Sequence, residues 1–179
     1  IWVIAALLVP NIILPFTEGW DWPDSIIGFL VPAGVYMVFM STGKRVGLTT
    51  WLMLPFMILA AFQIVLLYLY GRGLIAVDMF LNVFTTSFSE ATALLRNLVG
   101  ALCVVALLYV TALGWGVYAM AKHLHLVSGF RRHLRTCGLT ALGAGIAMWA
   151  AYSIIDPAYD VTLTTFPVNV CDNLLEARN

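Results

Sequence analysis

Charged residues are scarce in this sequence. Of its 179 residues, 10% are charged and 62% are apolar, and the mean hydropathy is +0.95. A soluble globular domain contains about 25% charged residues, because its surface has to be solvated. The shortage of charge excludes an ordinary water-soluble domain and predicts an integral membrane protein.

Motifs of several kinds of chemistry are also lacking. The sequence contains no glycine-rich phosphate loop and no nucleophile elbow. Its long apolar runs contain no acid or base, unlike the helices of a proton-coupled pump, and no histidine to hold a haem. The three histidines, His123, His125 and His133, lie in a basic segment where no Cys, Asp or Glu completes a zinc site. We therefore expect no catalytic residue, no metal site and no nucleic-acid partner in this chain.

Long apolar runs dominate what is present. A membrane-spanning helix needs about 20 apolar residues. The runs predict an all-α, polytopic membrane domain over residues 1–155. Its five transmembrane helices are predicted at about residues 1–16, 25–40, 51–70, 98–121 and 136–155. We expect the first helix to begin upstream of Ile1.

Two segments connect to these helices on one side. Residues 71–97 are unusually apolar for a loop and predict an amphipathic helical segment on the membrane surface. Residues 156–179 are more polar and predict a linker that leaves the membrane. Within the spans, Pro10, Pro32 and Pro55 are expected to bend helices. Five glycines are expected to permit close helix packing: Gly114, Gly116, Gly138, Gly143 and Gly145.

The charges are segregated between the two sides of the predicted bundle. Residues 41–48 and 122–135 contain no acid but hold most of the nine basic residues: Lys44, Arg45, Lys122, Arg131, Arg132 and Arg135. The nine acids all fall on the other side: Glu18, Asp21, Asp24, Asp78, Glu90, Asp156, Asp160, Asp172 and Glu176. Cytoplasmic loops accumulate Lys and Arg. The amino end is therefore predicted to be cytoplasmic and the carboxyl tail to lie outside.

A polar pattern within residues 71–97 is the candidate binding site. Asp78, Asn82, Thr86 and Glu90 recur at every fourth position, so a continuous helix would align them as one polar stripe. Glu90 could pair with an ammonium group, and Asn82 and Thr86 could donate to the phosphate oxygens of a lipid head group. Alternatively, Ser87 and Glu90 form a capping box that starts a second helix and breaks the stripe. The spacing alone leaves both interpretations open.

The segment from Asp78 to Leu95 resembles the loop after the third membrane helix of the lipid A phosphoethanolamine transferases, a family that includes polymyxin-resistance enzymes. The shared pattern, Asn-x3-Thr-x3-Glu, is matched by Asn82, Thr86 and Glu90, and Ala91 and Leu94-Leu95 follow it. The tail Phe166-Pro-Val-Asn169 is similar to the segment that enters the periplasmic domain of that family. Five helices with the carboxyl end outside is also the membrane architecture of the family.

The resemblance implies the membrane domain of a bacterial inner-membrane enzyme. Such an enzyme moves phosphoethanolamine from phosphatidylethanolamine to lipid A or a related glycolipid. It implies a sulfatase-like (alkaline-phosphatase-like) periplasmic domain after Asn179, in which a zinc-activated threonine carries the transferred group, so this chain alone is expected to be inactive. Asn82, Thr86 and Glu90, with Asp78 of the same stripe, would then shape the substrate site beneath that domain. The alternative is a non-catalytic five-helix module that binds lipid or a partner protein.

Overall fold

The computed structural model describes residues 1–70, 98–155 and 166–167. All regular structure in these ranges is helical, which confirms the all-α class for them. The elements are α1 (Trp2–Glu18), α2 (Trp22–Thr42), α3 (Val46–Leu52), α4 (Leu54–Tyr70), α5 (Val99–Val105), a π-helical turn (Ala106–Val110), α6 (Thr111–Ala121) and α7 (Ser128–Ile155). The predicted surface helix at 71–97 and nearly all of the predicted linker at 156–179 lie outside the described residues.

Three helical segments are long and apolar enough to cross a bilayer. These are α2, the continuous stretch Val99–Ala121 that contains α5, the π-helical turn and α6, and α7. A fourth candidate is the pair formed by α3 and α4, which meet at a 53° bend. Helix α1 is also apolar but shorter, with 17 residues. The described residues therefore form an all-helical bundle with three or four candidate membrane spans.

The bend between α3 and α4 divides the span that the sequence predicts as the continuous helix 51–70. The interruption is at Met53, two residues before Pro55. Because Pro55 has no N–H, it cannot donate to the carbonyl of Trp51, and its ring would clash with that carbonyl in a straight helix. Pro55 thus lies in the first turn of α4, where proline is tolerated, directly after the bend.

Helix α7 begins at Ser128, eight residues before the predicted start of the last span. The prediction of a loop over residues 122–135 is therefore wrong from residue 128 onwards. Arg131, Arg132 and Arg135 instead lie in the first turns of a helix. A span predicted from an apolar run ends at the first charged residue. The helix itself can continue beyond the hydrocarbon core of the membrane, because its backbone hydrogen bonds are internal.

The most extensive helix packing joins α2 and α7, which run antiparallel. A Cβ added to Gly34 would lie 2.8 Å from the carbonyl oxygen of Gly138, and one added to Gly145 would lie 2.7 Å from Cγ2 of Val31. The small-residue prediction is thus correct for Gly138 and Gly145. It also holds for one glycine of α6, Gly116, where a Cβ would lie 3.1 Å from Cγ2 of Thr50 in α3.

The other two glycines predicted to pack closely do not. A Cβ at Gly114 or at Gly143 would meet no atom of the described residues within 4 Å. Sequence spacing identified small residues but not the face of the helix on which each one lies.

The bundle separates its charges between two ends. At one end the α2–α3 connection pairs with the α6–α7 connection: the amide of Leu126 donates to the carbonyl of Lys44 (3.0 Å), and that of Val46 donates to the carbonyl of Leu124 (3.3 Å). The two basic segments that the sequence places on one side are therefore adjacent. The acids of the described ranges, Glu18, Asp21 and Asp24, flank the α1–α2 connection at the other end.

Candidate functional site

The predicted substrate-binding residues Asp78, Asn82, Thr86 and Glu90 all lie outside the described residues, so their stripe is neither confirmed nor contradicted. The structure does describe the bundle end from which their segment leaves. Helix α4 ends at Tyr70 and α5 begins at Val99. These ends are adjacent, because a Cβ at Gly100 would lie 3.0 Å from the hydroxyl of Tyr68.

An open cleft of about 510 Å³ lies at the acidic end, between α1 and α2. Its lining is mainly aromatic and aliphatic, with two polar side chains, Asn11 and Ser25. The apolar lining residues are Ile12, Pro15, Phe16, Trp20, Trp22, Ile26 and Phe29. Tryptophan is enriched where a bilayer meets water. The cleft therefore has the composition of a site for an amphiphile at a membrane interface.

Asn11 forms the inner wall of this cleft and holds three parts of the chain together. Its side chain is 2% exposed. The Nδ2 group donates to the carbonyl of Gly28 in α2 (2.9 Å) and to the carbonyl of Phe166 in the tail (2.8 Å). Phe166 is itself completely buried. Asn11 thus anchors residue 166 of the tail against α1 and α2.

The bond from Asn11 to Gly28 has a local cause in α2. Pro32 has no N–H, so it cannot donate to the carbonyl four residues earlier, which is that of Gly28. In a membrane such a carbonyl needs another donor, because no water reaches it. The Asn11 amide supplies that donor from the neighbouring helix.

A second proline follows the same logic in α1. Pro10 leaves the carbonyl of Ala6 without its helical donor, and the buried hydroxyl of Tyr109 donates to that carbonyl (3.1 Å). Tyr109 belongs to the π-helical turn, a local widening of the helix that is frequent at functional sites. Pro10 and Pro32 therefore each leave a carbonyl that accepts a side-chain hydrogen bond from another helix.

The second polar atom of Asn11 is left without a hydrogen-bond partner among the described residues. Within the described part of the chain, Oδ1 is buried and accepts no hydrogen bond. A buried carbonyl oxygen normally has a hydrogen-bond partner, so Oδ1 is an unsatisfied acceptor in the wall of the cleft. Sequence reasoning missed Asn11, although it is the one amide in the apolar run 1–16.

Residues 1–70, 98–155 and 166–167 contain no cluster of three or more His, Cys, Asp or Glu side chains that could hold a metal ion. His123 and His125 instead line a cavity with Arg45 at the basic end.

No protein-family model matches the sequence, and no curated protein or solved structure is significantly similar to it.

Proposed function

We propose that this chain is the membrane domain of a phosphoethanolamine transferase in a bacterial inner membrane. The observation that carries the proposal is the pattern Asn82-x3-Thr86-x3-Glu90, in a segment that leaves the bundle at its acidic end. In this proposal α1 is the fifth span, the basic end faces the cytoplasm, and the acidic end faces the periplasm.

Phosphatidylethanolamine is the proposed donor, and lipid A or a related glycolipid is the proposed acceptor. The aromatic cleft between α1 and α2 supports a lipid substrate at this end, because its apolar walls suit acyl chains and its tryptophans suit an interface. Glu90 would pair with the ethanolamine ammonium through a charge-assisted hydrogen bond. Asn82 and Thr86 would donate to the phosphate, and Asp78 would extend the polar stripe.

We assign the zinc ion and the threonine nucleophile to a sulfatase-like domain after Asn179, and we assign to this chain the positioning of the lipid substrates. The anchoring of Phe166 by Asn11 supports this division of labour. It holds residue 166 of the tail beside the cleft, which would bring a following domain to this end of the bundle.

The proposal is tested with the full-length gene expressed in a strain whose lipid A carries no phosphoethanolamine. Mass spectrometry of extracted lipid A should show the added group. Glu90→Gln removes a charge-assisted bond of about 1.5–3 kcal/mol, so transfer should fall at least about tenfold at unchanged protein level. Ser87→Ala is the matched control, because it costs a helix cap about 1 kcal/mol and leaves the carboxylate in place.

Two results would contradict the proposal at different levels. A well-expressed full-length protein that adds phosphoethanolamine to no glycolipid would favour the alternative, a non-catalytic module that binds lipid or protein. Full transfer by Glu90→Gln, together with an unstable Ser87→Ala protein, would show that the stripe is only a helix start.

A further inference from the structure

The basic end of the bundle contains a structured feature that the proposed transfer reaction does not use. Residues 44–46 and 124–126 pair as two short antiparallel segments, through the bonds of Leu126 to Lys44 and Val46 to Leu124 and a bridge between Arg45 and His125. We call these two segments, with His123, the basic clasp. The pairing fixes the backbone of both connections, so their side chains project from a defined scaffold.

His123 makes the turn that brings the second segment back to the first. Its φ is 50°, a left-handed conformation that glycine adopts more readily than histidine. The amide of Leu124 donates to the carbonyl of Ala119 (2.8 Å) and that of His123 donates to the carbonyl of Met120 (3.0 Å), which closes the end of α6. A glycine would therefore serve the turn at least as well, so the backbone does not account for the imidazole.

Two adjoining cavities open at the clasp. The first, of about 200 Å³, is lined by Arg45, His123 and His125 over a floor that includes Leu48 and Met120. The second, of about 290 Å³, shares Arg45 and Leu48 with the first and adds Lys44. No lining residue of either cavity is acidic.

The charges around these cavities are not balanced by nearby carboxylates in the ranges that the structure describes. Glu18, Asp21 and Asp24 flank the α1–α2 connection at the opposite end of the bundle. A guanidinium and two imidazoles around one small cavity present several N–H donors to a single acceptor group. An anion with several oxygens, such as a phosphate, matches this arrangement.

We propose that the basic clasp binds the head-group phosphate of an anionic phospholipid. Arg45 donates to the phosphate oxygens from the position shared by the two cavities, and His123 and His125 donate from the first cavity. The apolar surface beside the site identifies the source of the phosphate as a lipid. Leu48 and Leu52 lie one turn apart on α3, line the second cavity and are 48% and 57% exposed, so they can lie along an acyl chain.

Purified full-length protein in a neutral detergent tests this proposal by native mass spectrometry, with phosphatidylglycerol, phosphatidylcholine and inorganic phosphate titrated separately. One phosphatidylglycerol should bind at least about tenfold more tightly than phosphatidylcholine, and inorganic phosphate should not displace it. Arg45→Gln should weaken phosphatidylglycerol binding at least about tenfold. Lys122→Gln removes the same charge from the same end but lines neither cavity, so its effect should stay below about twofold.

His123→Gly provides a second variant that keeps the left-handed turn and removes one donor. It should weaken phosphatidylglycerol binding while leaving the melting temperature unchanged, so it decides the question if Arg45→Gln does not fold. Equal losses from Lys122→Gln and Arg45→Gln would overturn the proposal in favour of diffuse attraction between basic residues and anionic lipid. Unaltered binding by His123→Gly, displacement by inorganic phosphate or equal binding of the two lipids would also overturn it.

Discussion

Asn11→Ala removes two hydrogen bonds from the middle of the bundle, those that Nδ2 donates to the carbonyls of Gly28 and Phe166. Hydrogen bonds between helices in membrane proteins contribute about 0.6 kcal/mol on average and up to about 1.7 kcal/mol. Two such bonds give an expected loss of about 1.2 to 3.4 kcal/mol in the free energy of unfolding. The loss should be measurable by reversible unfolding in mixed detergent.

The proposed cause of one of these bonds, Pro32, makes the prediction sharper. In a Pro32→Ala background, residue 32 regains an N–H that can donate to the carbonyl of Gly28. Asn11→Ala should then cost less, because only the bond to Phe166 is lost without replacement. The double-mutant cycle should therefore show a coupling of at least about 0.6 kcal/mol between positions 11 and 32.

A control variant tests whether this coupling is specific to Pro32. Tyr109→Phe removes the donor to the carbonyl freed by Pro10, so its cost should add to that of Pro32→Ala without coupling. Additive costs for Asn11→Ala and Pro32→Ala would refute the reasoning. They would mean that Asn11 stabilises the bundle for a reason unrelated to the proline-freed carbonyl.

Two further predictions concern contacts between helices, one a close packing contact and the other a hydrogen bond. Gly138→Ala should destabilise the protein by about 1–3 kcal/mol, because the new methyl group overpacks the α2–α7 contact. Gly143→Ala on the same helix should be neutral or stabilising. Equal effects of the two substitutions in thermal unfolding would contradict the assigned interface. Tyr109→Phe should lower the free energy of unfolding by about 0.6–1.7 kcal/mol in the natural sequence, and by clearly less in a Pro10→Ala background. The same loss in both backgrounds would show that the Ala6 carbonyl does not depend on Tyr109.

The sequence was sufficient for the helical class and for the grouping of charges. Long apolar runs without acids or bases have few other structures available, because a bilayer requires every backbone group to be hydrogen-bonded within the protein. The two basic connections also had to share one end once helices alternated in direction, and the structure pairs them directly.

Contacts between distant residues could not be predicted from the sequence. The partners of Asn11 are 17 and 155 positions away in the chain. A single amide in an apolar run carries no local signal of where its donors point. Gly138 and Gly143 are both glycines of the same apolar helix, so the sequence does not distinguish them. Only the packing of α2 shows which of them faces a neighbouring backbone. The start of α7 at Ser128 was missed because the first turns of this helix contain charged residues. The stripe from Asp78 to Glu90 stays a prediction.

Cysteine accessibility tests the orientation on which the functional account depends. Asp21→Cys and Lys122→Cys each replace an exposed charged residue, at the acidic and basic ends respectively. In a background lacking Cys103, Cys137 and Cys171, intact spheroplasts are treated with a membrane-impermeant maleimide. The account predicts labelling at position 21 and none at position 122 until the membrane is permeabilised. Labelling at position 122 alone would place Glu90 and its segment in the cytoplasm and would contradict the proposed transfer to a periplasmic lipid acceptor.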